Sequence, residues 1–296
     1  MIRFLLVLGC TVASLLAQGK KSDPPLVIPD SVQMHEGVTY ATVNGKALKL
    51  DLFVPKAGAG PFPAVVYVHG GGWSGGTRTQ FHRHAAHMAA KGFVGACVQY
   101  RLSGEAIYPA ALHDVKAAVR WLRANAKQHR VRTDRIGAAG GSAGGHLVAL
   151  LGVTNDNPAY EGTVGVTGPS SAVQAVAGFN PALDMVGFGK QRAGNATAST
   201  SRFLGKTYDV DPEIYRIASP IAQANAKAPP TLLLHGDADT TVPHQQSVEF
   251  QKALRSKGVK AELVTAPGAG HGFFNRPPWF EPMLRHMDEF FSKTLR

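Results

Sequence analysis

The chain has 296 residues, enough for one large domain or two small ones, and its charged fraction of 17% is too low for a disordered protein. Its net charge of +11 would suit a nucleic-acid partner, but Lys and Arg never occur in runs longer than two and no nucleic-acid motif is present. We therefore expect no nucleic-acid partner. The composition specifies no oligomeric state.

The N-terminus has the pattern of a secretory signal. Arg3 precedes an apolar run, residues 4–17, that is too short for a comfortable membrane span. Cleavage before Lys20 predicts a signal peptide over residues 1–19, a secreted or periplasmic protein and no stable membrane span. A lipid anchor at Cys10 is the alternative, but only five apolar residues precede that cysteine.

Removal of the signal peptide would leave Cys97 as the single cysteine of the chain, so no intramolecular disulfide could form. A secreted protein without disulfides is more typical of bacteria than of animals. Because Cys97 lies in an apolar, strand-like stretch, we expect it to be a core residue and not a reactive thiol.

The apolar pattern predicts strands and helices that alternate along most of the chain. The eight predicted strands, of which the first two form a hairpin, cover residues 38–43, 47–54, 64–68, 93–100, 135–139, 173–179, 231–234 and 261–265. The predicted helices cover residues 80–91, 108–128, 146–151, 213–218, 245–256 and 279–295. This alternation requires crossover connections, which indicate an α/β protein with a mostly parallel sheet.

The remaining stretches define the domain organisation. Three prolines in residues 20–37 predict an extended leader, and residues 38–296 are predicted to form the folded domain. Only residues 181–230, which are rich in Gly, Ser, Thr and Ala, interrupt the alternation. We interpret them as a small lid-like insertion over a site, because they hold too little regular structure for a second domain.

A glycine-rich turn between the fifth strand and the next helix carries the first chemical signal. Residues 140–144 fit the pattern G-x-S-x-G, in which a serine lies on a sharp turn and its neighbours must lack bulk. The turn would place Ser142 at a helix N-terminus, where the free N–H of Ala143 favours negative charge. Ser142 is therefore the candidate nucleophile.

A serine hydroxyl is a poor nucleophile until a base takes its proton, and a histidine base needs an acid to fix its tautomer and stabilise the imidazolium. His271 follows the last predicted strand in a glycine-rich loop and is the candidate base. The turn after the preceding strand offers two acids. We choose Asp239, which lies further out on the turn, whereas Asp237 could hold the turn's own N–H groups. The chain order Ser142, Asp239, His271 is that of α/β-hydrolases.

The glycine-rich stretch after the third predicted strand begins with His69 and ends with Trp73. Glycines let backbone N–H groups turn toward a developing oxyanion. We assign Gly71, Gly72 and Ala143 as the oxyanion donors, and we expect His69 to anchor the loop. Trp73 is the candidate substrate-binding residue; it would either line the acyl pocket or only cover the loop.

Two further groups of polar residues have structural interpretations. His82, His84 and His87 share a predicted helix, but no carboxylate or cysteine joins them, so we expect a solvated helix face and no metal. Arg101 and Asp114 would form either a buried pair or two unrelated surface charges.

Four motifs stand at the predicted strand ends: HGGGW at 69–73, GGSAGG at 140–145, HGDADTTVP at 235–243 and GAGHGF at 268–273. Together they resemble the α/β-hydrolase esterases, especially secreted bacterial carboxylesterases related to hormone-sensitive lipase and to feruloyl and acetyl-xylan esterases. The resemblance runs from residue 38 to the C-terminus. It implies an eight-stranded α/β-hydrolase fold and a serine carboxylesterase that needs no cofactor.

The implied substrate is a short acyl or hydroxycinnamoyl ester, either a small molecule or a group linked to plant polysaccharide. One alternative is a peptidase of the prolyl-oligopeptidase type, but such enzymes usually carry a propeller and none fits here. The other is a hydrolase fold used only for binding. Loss of a triad residue would mark such a protein, and all three are present.

Overall fold

The computed structural model describes residues 25–296. The predicted signal peptide, residues 1–19, and Cys10 within it lie outside the described residues, as do residues 20–24 of the predicted leader. Among the described residues, no helix is both long enough and apolar enough to span a membrane.

Within the described residues, eight strands form one sheet. They are β1 (Val32–Val43), β2 (Lys46–Pro55), β3 (Phe62–Val68), β4 (Val94–Val98), β5 (Val131–Gly141), β6 (Ala175–Phe179), β7 (Thr231–Gly236) and β8 (Ala261–Ala266). Their order is β1-β2-β4-β3-β5-β6-β7-β8. The β1–β2 and β2–β4 pairs are antiparallel and the other pairs are parallel. The predicted mostly parallel sheet is confirmed.

Helices cover both faces of the sheet. They are α1 (His82–Ala90), α2 (Ala110–Ala124), α3 (Ala126–His129), α4 (Ala143–Val153), α5 (Met185–Gln191), α6 (Ser199–Leu204), α7 (Pro212–Ile217), α8 (Gln245–Ser256) and α9 (Phe280–Leu295). Short 3-10 turns occupy Arg78–Phe81, Pro158–Tyr160 and Phe273–Asn275.

The central strand β3 shows how the sheet divides the core. Successive side chains of a strand point to opposite faces. Val66 and Val68 therefore join one apolar cluster, with residues of α2, α4 and α8, whereas Val65 and Tyr67 join a second cluster, with residues of α1 and α9. Because both faces of β3 are covered, its sequence is apolar throughout, which is why it was predictable.

The predicted boundary of the leader at residue 37 is wrong, because β1 begins at Val32. Val32 pairs with Pro55 and Met34 with Phe53, so this segment extends the hairpin. Polar residues between and after Val32 and Met34 interrupt the alternation of apolar and polar residues. In addition, the pairing register of β1 with β2 shifts between His35 and Val38. A bulge of this kind breaks the period-2 pattern on which strand prediction depends.

Two helical predictions also need correction. The helix predicted over residues 108–128 is split at Asn125, whose side-chain Nδ2 donates to the Trp121 carbonyl oxygen at 2.9 Å. Residues 181–230 hold three helices, α5 to α7, where one was predicted. Asp184 and Asp211 cap α5 and α7 by accepting hydrogen bonds from backbone N–H groups. These helices are too short for a clear apolar period.

Arg101 and Asp114 form a buried pair, so the first of the two alternatives is correct. The Asp114 carboxylate is fully buried and accepts hydrogen bonds from Arg101 Nη2 at 2.7 Å and from the Arg101 backbone N–H at 2.9 Å. The pair joins the chain after β4 to α2.

The prediction of a solvated histidine face was wrong for His82 and His84, which are both buried. His82 Nε2 lies 2.8 Å from Asp51 Oδ2. His84 is enclosed by aromatic rings, namely those of Phe81, Phe179, Phe274 and Phe280. Burial lowers the pKa of His84 to about 3. Among residues 25–296, no three His, Cys, Asp or Glu residues are grouped as a metal site would require.

Candidate active site

Ser142 is the single residue between β5 and α4 and has a strained backbone, with φ 52° and ψ −118°. Its N–H donates to the Phe179 carbonyl oxygen at 2.9 Å, which fixes the turn to the end of β6. A Cβ on Gly144 would lie 2.1 Å from the carbonyl oxygen of Val68. Only glycine therefore lets α4 start this close to β3 and hold Ser142 at the sheet edge.

The structure brings the predicted nucleophile, base and acid into one hydrogen-bonded chain. His271 Nε2 lies 2.9 Å from Ser142 Oγ, and His271 Nδ1 lies 2.7 Å from Asp239 Oδ2. Asp237 does not contact the imidazole; its Oδ1 accepts a hydrogen bond from the Gly268 N–H at 2.6 Å. Asp237 therefore braces the loop that carries His271.

Two backbone N–H groups and two histidines surround the buried Asp239 carboxylate. Oδ1 accepts from the N–H groups of Thr241 and Val242 at 2.8 and 2.9 Å, and Oδ2 lies near both His271 and His235. Burial raises the pKa of Asp239, but the hydrogen bonds from His235, His271 and the Val242 N–H outweigh it and leave that pKa below its ordinary value. The carboxylate is therefore ionised at neutral pH.

Two buried residues beside this chain were not predicted. His235 Nδ1 lies 2.7 Å from Ser247 Oγ, and its Nε2 lies 3.0 Å from the Val242 carbonyl oxygen and 3.3 Å from Asp239 Oδ2. Asn180 has a left-handed φ of 37°, and its Nδ2 lies 3.1 and 3.2 Å from the two ring nitrogens of His271. The sequence signal for Asn180 was only its place at a strand end, which many structural residues share. His235 begins one of the four motifs, but no role was assigned to it.

The predicted oxyanion donors Gly71, Gly72 and Ala143 line one cavity together with Ser142. Gly71 has φ 117°, and a Cβ there would lie 2.4 Å from the Gly75 carbonyl oxygen, so the loop can fold this tightly only with glycine. Ala143 is the first residue of α4, where backbone N–H groups have no intrahelical acceptor.

His69 anchors the glycine-rich loop, as predicted. Its ring stacks on Tyr100 at a centroid distance of 4.3 Å, and the Tyr100 hydroxyl donates to the His69 carbonyl oxygen at 3.1 Å. Burial lowers the pKa of His69. Its Nδ1 lies 2.9 Å from the Gly70 carbonyl oxygen, and His69 does not line the cavity that contains Ser142.

Trp73 both lines the cavity and packs beneath it. Its Nε1 donates to His146 Nδ1 at 3.2 Å, and its ring stacks on Phe203 at 4.7 Å. His146 Nε2 in turn donates to the Ala218 carbonyl oxygen at 2.8 Å, and burial lowers the pKa of His146 to about 4. The neutral imidazole thus links the glycine-rich loop to α4 and to the 181–230 insertion.

Two cavities meet at His271. The first has a volume of about 340 Å³ and contains Ser142 and the oxyanion loop; its outer wall comes from the 181–230 insertion through Phe188, Arg192 and Thr200. The second is an open groove of about 1010 Å³ beyond the imidazole. The groove is bordered by Thr77, Thr79, Gln80, Asn275 and Trp279. Gln80, His271 and Gly272 belong to both.

Comparison with known proteins places this geometry in a family. Residues 50–254 match the BD-FAE family. The chain is 34% identical to Esterase LipC of Mycobacterium tuberculosis over 72% of this chain and 53% of that protein. It is 32% identical to Esterase LipQ of the same organism, over 71% of this chain and 50% of that protein. The chain thus spans about half the length of these curated relatives.

Solved structures match over nearly the whole fold. A truncated carbohydrate esterase from gut microbiota superposes with a TM-score of 0.78 at 29% identity, covering 92% of this chain and 100% of that one. The thermophilic esterase Est2 of Thermogutta terrifontis gives 0.75 at 30% identity, covering 89% and 92%; a further Est2 structure holds propionate. The matched segment exceeds half of the chain, so this protein belongs to the BD-FAE family of α/β-hydrolases.

Proposed function

We propose that the protein is a serine carboxylesterase that removes short acyl or hydroxycinnamoyl groups from carbohydrate. The observation that carries the proposal is the continuous contact from Ser142 Oγ through His271 to Asp239 Oδ2, at 2.9 and 2.7 Å. Nucleophilic catalysis by serine needs this arrangement, because the base must reach the hydroxyl while the acid fixes the imidazole tautomer.

In the proposed reaction, Ser142 Oγ attacks the ester carbonyl carbon as His271 Nε2 takes the hydroxyl proton. The N–H groups of Gly71, Gly72 and Ala143 stabilise the oxyanion. His271 then donates the proton to the departing alcohol, which leaves an acyl-enzyme. Water, deprotonated by His271, then attacks the acyl carbon. The bond from that carbon to Ser142 Oγ breaks, His271 returns the proton to Ser142 Oγ, and the acid is released. Asp239 stays ionised throughout and stabilises the imidazolium.

The smaller cavity supports a compact acyl group. Its volume of about 340 Å³ lies at the lower end of the range for ligand pockets. Trp73 and Phe188 contribute apolar walls, and Phe188 and Arg192 of the 181–230 insertion form part of the lining. The propionate in the related Est2 structure is also a short acid. We expect acetyl to butyryl and single-ring aryl acyl groups to fit and long alkyl chains to be excluded.

The larger groove supports a bulky, polar alcohol. Because His271 returns its proton to the leaving oxygen, the alcohol must depart on the imidazole side, where the groove of about 1010 Å³ begins. Thr77, Thr79 and Asn275 border it with polar groups and Trp279 with a half-exposed ring. A related structure is described as a carbohydrate esterase. The net charge of +11 would suit polysaccharides that carry acidic sugars.

We also propose that residues 1–19 direct export, since polysaccharide is met outside the cytoplasm. The support is the apolar run at residues 4–17 after Arg3. N-terminal sequencing of the protein purified from a secreting host should begin at Lys20. A mature protein that begins at Cys10 would indicate lipid anchoring instead.

The activity is tested with nitrophenyl esters of rising chain length, methyl ferulate, acetylated xylan and a peptide amide. We expect cleavage of acetyl to butyryl esters, a fall for longer chains and no amide cleavage. Ser142→Ala should lower kcat/KM by at least about 10³-fold, whereas Ser256→Ala, at an exposed serine of α8, serves as the matched control. Full esterase activity in Ser142→Ala would refute the proposal.

A further inference from the structure

The smaller cavity has a permanent positive charge on its wall. Of the residues between 25 and 296 that line it, Arg192 is the only Asp, Glu, Lys or Arg. Arg192 directly follows α5 in the 181–230 insertion and is half-buried. The Asp239 side chain is fully buried and already paired with His271. A substrate in this cavity therefore meets a positive charge on the wall and no negative one.

An aromatic ring, and not a carboxylate, supports the Arg192 guanidinium. Its Cζ lies 4.6 Å from the centroid of the Phe188 ring, and Phe188 is a buried residue that lines the same cavity. Among residues 25–296 this guanidinium forms no hydrogen bond or ion pair. Stacking on a ring uses the face of a guanidinium and leaves the N–H donors at its edge available to a planar anion.

Other half-buried arginines of the protein have a carboxylate partner. Arg78 Nε lies 2.6 Å from Asp51 Oδ2, and Arg101 Nη2 lies 2.7 Å from Asp114 Oδ1. Partial burial removes water from a guanidinium, and a carboxylate offsets that cost by accepting charge-assisted hydrogen bonds. The described protein supplies no carboxylate to Arg192, so this position is open to one from a substrate.

We propose that Arg192 is a specificity-determining residue that makes the smaller cavity selective for acyl groups ending in a carboxylate. The preferred substrates are then monoesters of short dicarboxylic acids. The proposal rests on the esterase activity proposed above and adds a charge requirement to the short acyl groups that the cavity accepts.

The size of the cavity agrees with this class of acyl group. A succinyl group has the four carbons of a butyryl group, which we expect to fit, but it ends in a carboxylate. Its reacting carbonyl would lie at Ser142 while its carboxylate reaches the wall at Arg192, since both residues line the same cavity of about 340 Å³. A guanidinium binds a carboxylate through two parallel hydrogen bonds, which an uncharged end group cannot reproduce.

The test compares monomethyl succinate with methyl succinamate, in which a carboxamide of nearly the same shape replaces the carboxylate. The matching glutaric acid pair extends the reach by one methylene. For each pair, the ratio of kcat/KM values is measured in the wild type and in Arg192→Gln. Dividing the two ratios cancels the intrinsic reactivity of the esters. We expect the wild-type ratio to exceed that of Arg192→Gln by about tenfold in at least one series.

Two further variants separate a local contact from a general effect of charge. Arg202→Gln removes the same charge from an exposed residue of α6 in the same insertion and should keep the wild-type ratio. Arg192→Lys keeps the charge but loses the planar edge, so its ratio should be intermediate. Raising NaCl from about 0.05 M to about 0.5 M should reduce the wild-type ratio and leave that of Arg192→Gln nearly unchanged.

A second pair of esters tests the side of the substrate. Acetoxyacetate and acetoxyacetamide differ in the same way, but the charge lies on the alcohol. Their ratio should change little in Arg192→Gln. A tenfold change in this pair, with none in the succinate and glutarate pairs, would place the recognised carboxylate on the alcohol and overturn the proposal.

Equal ratios in the wild type and Arg192→Gln, or the same fall in Arg202→Gln, would also overturn it. In each case, hydrolysis of nitrophenyl butyrate by the wild type and its loss in Ser142→Ala would show that the proposed esterase activity still stands.

Discussion

Two aspartates in the turn after β7 have different environments. Asp239 is buried and holds His271 at 2.7 Å, whereas Asp237 is exposed and holds the Gly268 N–H. Only the first can stabilise an imidazolium directly, because the electrostatic benefit requires contact in a poorly solvated site.

We therefore predict that Asp239→Asn lowers kcat on nitrophenyl butyrate by about 10³- to 10⁴-fold, since the amide cannot fix the productive tautomer of His271. Asp237→Asn is the matched control and should cost less than about tenfold, because an amide oxygen still accepts from Gly268. Steady-state kinetics of both variants decide this. Equal losses would mean that the turn is sensitive as a whole and that Asp239 has no special role.

Some residues of the candidate site could be located from the sequence, and others could not. Ser142, Asp239 and His271 could be located because each follows a strand in a glycine-rich turn, and such turns leave a recognisable pattern. Asn180 could not, because its contact is with a residue far away in sequence. His235 could not, because its contacts with Ser247 and Asp239 depend on how the chain folds after β7. Asn180 is 91 residues from His271. Only the folded sheet brings these side chains together.

At the scale of elements, the central strands were predicted well because burial on both faces makes their sequences continuously apolar. The edge strand β1 was predicted to begin six residues late because its bulge breaks the alternation. The helices α5 and α6, of seven and six residues, show no clear apolar period and were missed, whereas α7, also of six residues, was predicted. Their stability depends on packing, which sequence periodicity does not record.

The start of α4 allows an element-scale prediction. Alanine normally stabilises a helix relative to glycine by about 1 kcal/mol. Gly144→Ala should instead destabilise the protein by at least about 3 kcal/mol or prevent folding. The reason is that the added methyl would lie 2.1 Å from the Val68 carbonyl oxygen, which is fixed in β3.

The matched control is Gly104→Ala, because a Cβ at Gly104 meets nothing within 4 Å and its φ is not left-handed. Urea unfolding of the two variants and the wild type measures the difference. If Gly144→Ala proves as stable as Gly104→Ala, β3 and α4 do not pack as closely as described.

At the scale of the whole molecule, the two helical layers are held by buried groups that must stay neutral. His84, on α1, packs among four phenylalanine rings that include one from α9 and one from the sheet. His146, on α4, contacts the 181–230 insertion. Burial lowers the pKa of His84 to about 3 and that of His146 to about 4. In the unfolded chain both would take up a proton near about pH 6.5.

The sign of the pH effect follows from this difference. Between about pH 6.5 and pH 3 the unfolded chain binds a proton at His84 that the folded protein does not, so acid favours unfolding. From pH 7.5 to pH 5.0, His84 alone should reduce the free energy of unfolding by about 2 kcal/mol. The pKa of His84 is lowered because the imidazole is buried and neither ring nitrogen has a hydrogen-bond partner among residues 25–296 to stabilise its charge.

We predict that His84→Phe, which extends the surrounding aromatic cluster, removes this part of the acid sensitivity. Urea unfolding at pH 7.5 and pH 5.0 should show a loss about 2 kcal/mol smaller in the variant than in the wild type. His286→Phe, at an exposed histidine of α9, should leave the wild-type loss unchanged. An equal loss in His84→Phe would mean that His84 is protonated in the folded protein, and α1 could not then pack on the phenylalanine cluster as it does here.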